Sequence, residues 1–137
     1  KCGGIRFGIR FHISLAPSFG AGSSVLIADG KIDINNNATI EGSGDPKSYL
    51  LVLSTNNSLN PASPAINAAN NSTAVVYYAK TGMIRVYNGS NLHGSTGYYL
   101  TLEETSTVTY DPNLASFTVP TPDVDIIGVI TGSWGEL

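Results

Sequence analysis

The sequence predicts an all-β chain, and more closely a single-stranded right-handed parallel β-helix (β-solenoid) of about four to five coils. Three observations support this: a nine-residue pattern that occurs four times, a composition rich in Asn and Gly, and no convincing 3.6-residue apolar period. Only 12% of the 137 residues are charged, whereas 12 are Asn and 15 are Gly. Such a composition is typical of stacked β-coils rather than of a helical enzyme.

The recurring pattern is apolar at its first, third and ninth positions. Alternation over the first three positions is the period of a half-buried strand. Positions five to eight mostly hold Asn, Gly, Ser or Thr, which favour turns because Asn and Gly tolerate left-handed backbone angles. Each window therefore predicts strand, corner, strand. The windows are IDINNNATI (Ile32–Ile40), INAANNSTA (Ile66–Ala74), IRVYNGSNL (Ile84–Leu92) and LTLEETSTV (Leu100–Val108).

A second apolar run precedes three of the windows, so one repeating unit contains two kinds of strand. Since a single coil cannot bury its inward residues alone, we expect the units to stack on one another. Five asparagines would then lie at corners and hydrogen-bond along the stack, as in cross-β ladders. The runs are SVLIADG (24–30), YLLVLSTN (49–56) and VVYYAKTG (75–82), and the asparagines are Asn36, Asn37, Asn70, Asn71 and Asn88.

The segments outside the repeat complete the predicted organisation. Residues 1–24 hold an alternating strand, Ile5 to Leu15, that we expect to lie across one end of the coils as a cap. The alternative is that this strand derives from cloning. Residues 25–110 form the coils, with a proline-containing insertion, NNSLNPASPA (56–65), that should bulge from one corner. Residues 111–137 form a C-terminal loop and a closing strand within IIGVITGSW.

The charge and cysteine content narrow the function classes. A formal charge of −3 argues against a nucleic-acid partner, because binding phosphates needs a clustered basic face. One Cys and two His give no basis for a thiolate metal site, so no metal or cofactor is predicted. No run of eighteen apolar residues is present, so no membrane insertion of this segment is expected.

Several stretches resemble the C-terminal β-helical region of bacterial PilX-like, pilus-associated surface proteins. They are GSGDPKSYLLVLSTNNS, AINAANNSTAVVYYAKTGMIRV, a closing motif at Tyr110, Asp111, Pro112 and Leu114, and an ending at Ser133, Trp134 and Glu136. The resemblance implies an extracellular or cell-surface bacterial domain with pilus subunits as partners. It supplies no catalytic residues, and the pilin-like helix of that family has no counterpart in this chain.

Outward positions of the windows form columns that hold the candidate catalytic residues Asp33, Arg85 and Glu103. Polysaccharide lyases and hydrolases use such faces. Stacked strands lie about 4.8 Å apart, so Asp33 and Glu103, three coils apart, would be separated by on the order of 14 Å. A glycosidase pair needs roughly 5 to 9.5 Å. A solvated face is therefore favoured over an acid/base pair.

Tyrosine is the one unusually abundant side chain, and Tyr77, Tyr87 and Tyr99, with Asn67, are the candidate ligand-binding residues. A tyrosine ring offers a sugar an apolar face and a polar tip. The alternative is that the rings cover core edges. A site using His93 with Ser95 lacks an elbow motif around the serine, so a solvated corner histidine is favoured.

These observations predict a structural or adhesive surface domain with no chemistry of its own. A carbohydrate-binding module, with a polysaccharide or cell-surface ligand, is the first alternative. A polysaccharide-acting enzyme, a lyase or glycoside hydrolase, is the second. Open ends of the coil stack would also allow homo-oligomers to form.

Overall fold

The computed structural model describes residues 4–7 and 12–116, and this part of the chain is all-β with only parallel strand pairing. Within these ranges there is no α-helix, only short 3₁₀ helices at Pro17–Phe19 and Pro112–Ser116. The strands are β1 (Ile5–Phe7), β2 (His12–Ser14), β3 (Ser24–Ala28), β4 (Ile32–Ile34), β5 (Thr39–Glu41), β6 (Leu50–Ser54), β7 (Ile66–Ala68), β8 (Thr73–Val86), β9 (Asn91–Leu102) and β10 (Thr107–Val108).

The strands pair in the register that aligns the four sequence windows. At position one, Ile32 pairs with Ile66, Ile66 with Ile84, and Ile84 with Leu100. Position eight gives a second ladder through β5, β8, β9 and β10, and the apolar runs give a third through β3, β6, β8 and β9. Equivalent positions of successive windows are therefore direct neighbours across strands, so each outward position forms a column of side chains.

The core is built from the inward positions of the first three windows. Positions one and three are fully buried in all three, and fully burying an aliphatic side chain contributes about 1.5–3 kcal/mol. Position seven is buried as well, which the apolar pattern did not predict. Ser72 and Ser90 tolerate burial there because their hydroxyls hydrogen-bond to each other, with an Oγ–Oγ distance of 3.1 Å. The fully buried residues at these positions are Ile32, Ile34, Ala38, Ile66, Ala68, Ser72, Ile84, Val86 and Ser90.

Each corner turns through two consecutive residues with positive φ, at positions five and six of every window. Asn and Gly adopt these angles at little cost, which explains the repeated asparagines. The amide of Asn88 donates to Asn70 Oδ1 at 2.5 Å, and that of Asn70 to Asn36 Oδ1 at 3.5 Å, so the corners are also linked along the stack. The φ values are Asn36 58°, Asn37 61°, Asn70 55°, Asn71 58°, Asn88 54°, Gly89 75°, Glu104 50° and Thr105 63°.

The described residues of the N-terminal segment form two strands that pair with the strands of the first window. β1 pairs with β4, placing Ile5 beside Ile32, and β2 pairs with β5, placing His12 beside Thr39. These two strands therefore extend the ladders of positions one and eight by one further rung. The period-two alternation that predicted one long capping strand also fits two shorter strands that pair with the first window in register. The predicted closing strand within 126–134 lies outside the described residues.

Among the corner residues with positive φ, Thr105 has the least favourable backbone conformation, because its side chain is β-branched. We expect Thr105→Asn to raise the free energy of unfolding by about 1 kcal/mol, since Asn visits this region readily. Thermal denaturation measures the change. The control is Thr109→Asn, an exposed position without positive φ, where no gain is expected. A gain of equal size at both positions would contradict this account of the corners.

Candidate functional site

The insertion loop (Asn56–Ala65) folds back onto the strands instead of bulging freely. Its ends are held by main-chain hydrogen bonds of 2.9 Å, from Met83 N–H to Ser58 O and from Ile32 N–H to Ala65 O. Within the loop, Ser58 Oγ donates to Ser63 O at 2.7 Å. The base of the loop, Pro64 and Ala65, is buried, so the loop forms a fixed wall beside the outward columns of β4, β7 and β8.

Gly82 allows the loop to lie this close to β8. A Cβ at this position would lie 2.3 Å from the carbonyl oxygen of Asn56 and 2.5 Å from Cβ of Ala65. Real side chains do not approach so closely, so any other residue at position 82 must displace the loop base. The position of the wall therefore depends on this glycine.

The loop and the outward columns enclose a polar cleft of about 180 Å³. Four of the residues singled out in the sequence line it: Asp33, Asn67 and Arg85, which are successive members of the position-two column, and Tyr87 from position four. The strand register thus brings together residues that are far apart in the chain. The other lining residues are Lys31, Ile32, Pro61, Ala62, Ser63 and Pro64.

Hydrogen bonds fix most polar groups of the cleft. Asp33 Oδ1 accepts from Asn67 Nδ2 at 2.9 Å and from Asn35 Nδ2 at 3.3 Å. Lys31 Nζ donates to Ser63 Oγ, which ties the floor of the cleft to the loop. These contacts hold amide, hydroxyl and charged groups of the cleft in set positions.

Arg85 and Glu103 form a two-point ion pair. Arg85 Nη2 lies 2.8 Å from Glu103 Oε2, and Nε donates to Oε1 at 3.2 Å. The hydrogen bonds from Arg85 are the main cause that lowers the pKa of Glu103. The guanidinium also lies over the ring of Tyr87, 4.3 Å from its centroid, in a cation–π contact. Of the three candidate catalytic residues, two are thus paired with each other, while Asp33 and Glu103 lie three windows apart in the strand register.

An aromatic shelf adjoins the polar cleft on the other side of Pro61. It has a volume of about 350 Å³ and is lined by Leu59, Pro61, Met83, Tyr98 and Tyr99. Tyr98 is 69% exposed and Tyr99 57%. Both rings line the shelf, and the ladder between β8 and β9 is irregular beside them, between Ala79 and Met83. There residues 80–82 of β8 lie opposite Tyr98 alone, as in a bulge.

Tyr77, by contrast, lies inside the core. Its side chain is fully buried, and burial raises the pKa of its hydroxyl well above the usual range. It pairs with Val52 and Ser95 on the third ladder and does not line the surface of Tyr87 and Tyr99. Among the described residues, its hydroxyl has no hydrogen-bond partner.

We expect Tyr77→Phe to stabilise the fold, because an unsatisfied buried hydroxyl costs about 1–3 kcal/mol. Chemical denaturation should show a higher midpoint with an unchanged slope. Tyr78→Phe, on the neighbouring half-buried tyrosine, is the control and should change little. A loss of stability in Tyr77→Phe would mean that the hydroxyl is satisfied in solution.

A second polar cluster anchors the segment after β10. Asp111 Oδ2 accepts a hydrogen bond from Tyr49 Oη at 3.0 Å and lies 3.5 Å from Nδ1 of His93. The backbone N–H of Asn113, bonded to Asp111 Oδ1 at 2.9 Å, is the main cause that lowers the pKa of Asp111. Burial raises the pKa of Tyr49 to about 12, and the hydrogen bond to the Asp111 carboxylate is the second cause. His93 therefore faces a carboxylate, and this cluster fixes the 3₁₀ helix at Pro112–Ser116.

The lowered pKa of Asp111 makes the fold sensitive to acid. A carboxyl group whose pKa is lower in the folded state than in the unfolded state, where it is about 3.9, stabilises the fold at pH values above the unfolded pKa. This stabilisation is lost as the pH falls through the pKa of the folded state. The stability advantage of the wild type over Asp111→Asn should therefore be largest above about pH 5 and shrink below about pH 4. Urea unfolding across this range measures it. An advantage that stays constant with pH would show that the ionised carboxylate is not what stabilises the segment.

Comparison of the chain with protein-family models, with curated proteins and with solved structures found no match. The resemblance to PilX-like proteins therefore stays a prediction. In the described ranges no helix has the length and apolar character needed to cross a membrane. No group of three or more His, Cys, Asp or Glu residues suited to a metal ion occurs there either.

Proposed function

We propose that the chain is a parallel β-solenoid with one coil per window. Support comes from the register, in which every ladder is parallel and successive partners at position one are 34, 18 and 16 residues apart in the chain. Three such ladders, joined by corners at equivalent positions, are what a coil of three strands stacked on itself requires. A right-handed path is favoured, since connections between parallel strands are almost always right-handed.

On this scaffold, the proposed function is that of a non-catalytic adhesive domain that binds a polysaccharide at a bacterial cell surface. One observation carries the proposal: the insertion loop sets the polar cleft and the aromatic shelf side by side, with Pro61 lining both. Binding sites for small ligands typically combine apolar and aromatic walls with a few placed polar groups. The extracellular location and the pilus partners follow from the resemblance alone.

Catalysis is not proposed, because the candidate residues are engaged with one another. Arg85 and Glu103 satisfy each other at 2.8 and 3.2 Å. Asp33 and Glu103 are separated by three strand spacings, on the order of 14 Å. The wide spacing is unsuited to paired acid and base chemistry on one glycosidic bond.

A purely structural role is the second candidate, favoured by the links that run along the stack. The asparagine corners and the Ser72–Ser90 pair join successive coils outside the strand ladders. A repeat array in which each coil is bonded to its neighbours suits a stiff spacer. Such a spacer would need no ligand.

Retention by polysaccharides separates these two candidates. Affinity electrophoresis through gels containing dextran, galactomannan, xyloglucan, alginate or polygalacturonate, with pull-down on cellulose and chitin, should show retention by at least one polymer. The double variant Leu59→Ala with Pro61→Ala should lose most of it, because it removes the shared wall. Circular dichroism would establish that this variant keeps its fold. Failure of the wild type to bind any polymer would leave the structural role.

A further inference from the structure

We propose that the polar cleft and the aromatic shelf are adjoining subsites for consecutive sugars of an uncharged polysaccharide. This inference rests on the proposed function and adds to it the class of ligand and the role of each subsite. It is motivated by three features of the insertion face, which is the surface formed by the insertion loop, the polar cleft and the aromatic shelf. These are the exposed tyrosine rings, the polar groups that line the cleft, and the balance of charges in the cleft.

The shelf is suited to stacking a sugar ring. The rings of Tyr98 and Tyr99 are 69% and 57% exposed, and Leu59, at 49%, extends this apolar surface. Exposing these two rings to water is unfavourable, and neither ring contributes to the buried core. A pyranose ring presents C–H groups on its faces and would cover that surface, while its hydroxyls stay solvated.

The polar cleft is suited to hydrogen bonding rather than stacking. The guanidinium of Arg85 lies 4.3 Å from the centroid of the Tyr87 ring, so one face of that ring is covered. The groups that line the cleft include the amide of Asn67, the hydroxyls of Ser63 and Tyr87, and the carboxylate of Asp33. Donors and acceptors that alternate at short range match sugar hydroxyls, each of which both donates and accepts.

The charges of the cleft favour an uncharged ligand. Arg85 is already held by Glu103 in a two-point pair, and Lys31 shares the cleft with Asp33. A uronate or sulfated sugar would have to compete with Glu103 for the guanidinium and approach the Asp33 carboxylate, which repels it. A neutral sugar disturbs neither arrangement.

The two subsites are contiguous, because Pro61 lines both. The shelf, at about 350 Å³, is at the low end of known ligand pockets of roughly 300–1,000 Å³, and the cleft, at about 180 Å³, is below it. Neither alone encloses a large ligand. A chain of at least two sugars that crosses Pro61 would use both, which favours a polymer over a free monosaccharide.

The experiment compares neutral with anionic polymers, and a tyrosine of the shelf with an exposed tyrosine outside it. Affinity electrophoresis uses dextran, galactomannan and xyloglucan against alginate and polygalacturonate. We expect retention by a neutral polymer that changes less than twofold between 50 and 500 mM NaCl, because little charge is involved. Tyr99→Ala and Asn67→Ala should each weaken it at least tenfold. The matched control is Tyr110→Ala, which is 80% exposed but outside the shelf, and it should bind like the wild type.

Each result that contradicts the expectation leads to a different conclusion. Binding only to alginate or polygalacturonate, lost at high salt, would overturn the uncharged ligand but leave the proposed adhesive function standing. Neutral binding that survives both Tyr99→Ala and Asn67→Ala would place the ligand elsewhere on the chain and overturn the two subsites. Retention by no polymer would overturn the proposed function and this inference together. Thermal denaturation of every variant establishes that lost binding is not lost folding.

Discussion

The left-handed backbone at positions five and six of every window is the constraint on which the rest of the structure depends. Two consecutive residues of positive φ turn the chain by the same amount each time, so the strand after each corner begins at the same point of the stack. A shift of one residue at any corner would send inward side chains to the surface. The parallel register, the buried columns and the outward columns therefore all follow from this repeated turn.

The register could be predicted from the sequence because the core strands and the corners require different kinds of residue. Apolar residues at positions one and three identify the strands, and Asn or Gly at the corners identifies the turns. The pairing of β1 and β2 with the first window was not predicted, although Ile5 to Ile13 has the same apolar spacing as a window, because positions five and six of this stretch hold no asparagine. The buried position seven was also missed, since Ser72 and Ser90 are polar, and their burial becomes favourable only when the two hydroxyls hydrogen-bond to each other.

The candidate site could be predicted in part for the same reason. The column of Asp33, Asn67 and Arg85 follows directly from the register. The pairing of Arg85 with Glu103 does not, because it joins position two of one window to position four of the next. The loop wall was beyond prediction, since a non-repeating segment carries no period from which its fold could be inferred. The burial of Tyr77 and the exposure of Tyr98 were not predicted either, because each belongs to a pair of consecutive tyrosines and the sequence does not show which ring of a pair lies inside.

The irregular parts of the chain coincide in space, and this supports the insertion face as the functional surface. The insertion of residues 56–65 interrupts the repeat between β6 and β7, the irregular residues 80–82 interrupt the ladder of β8 with β9, and Gly82 packs directly on the base of the loop. A repeat array gains nothing in stability from two neighbouring interruptions of its ladders. Loops on a rigid scaffold commonly carry binding residues, and departures from local regularity tend to occur at functional sites. The regular coils would then serve to hold the polar cleft and the aromatic shelf at a fixed separation.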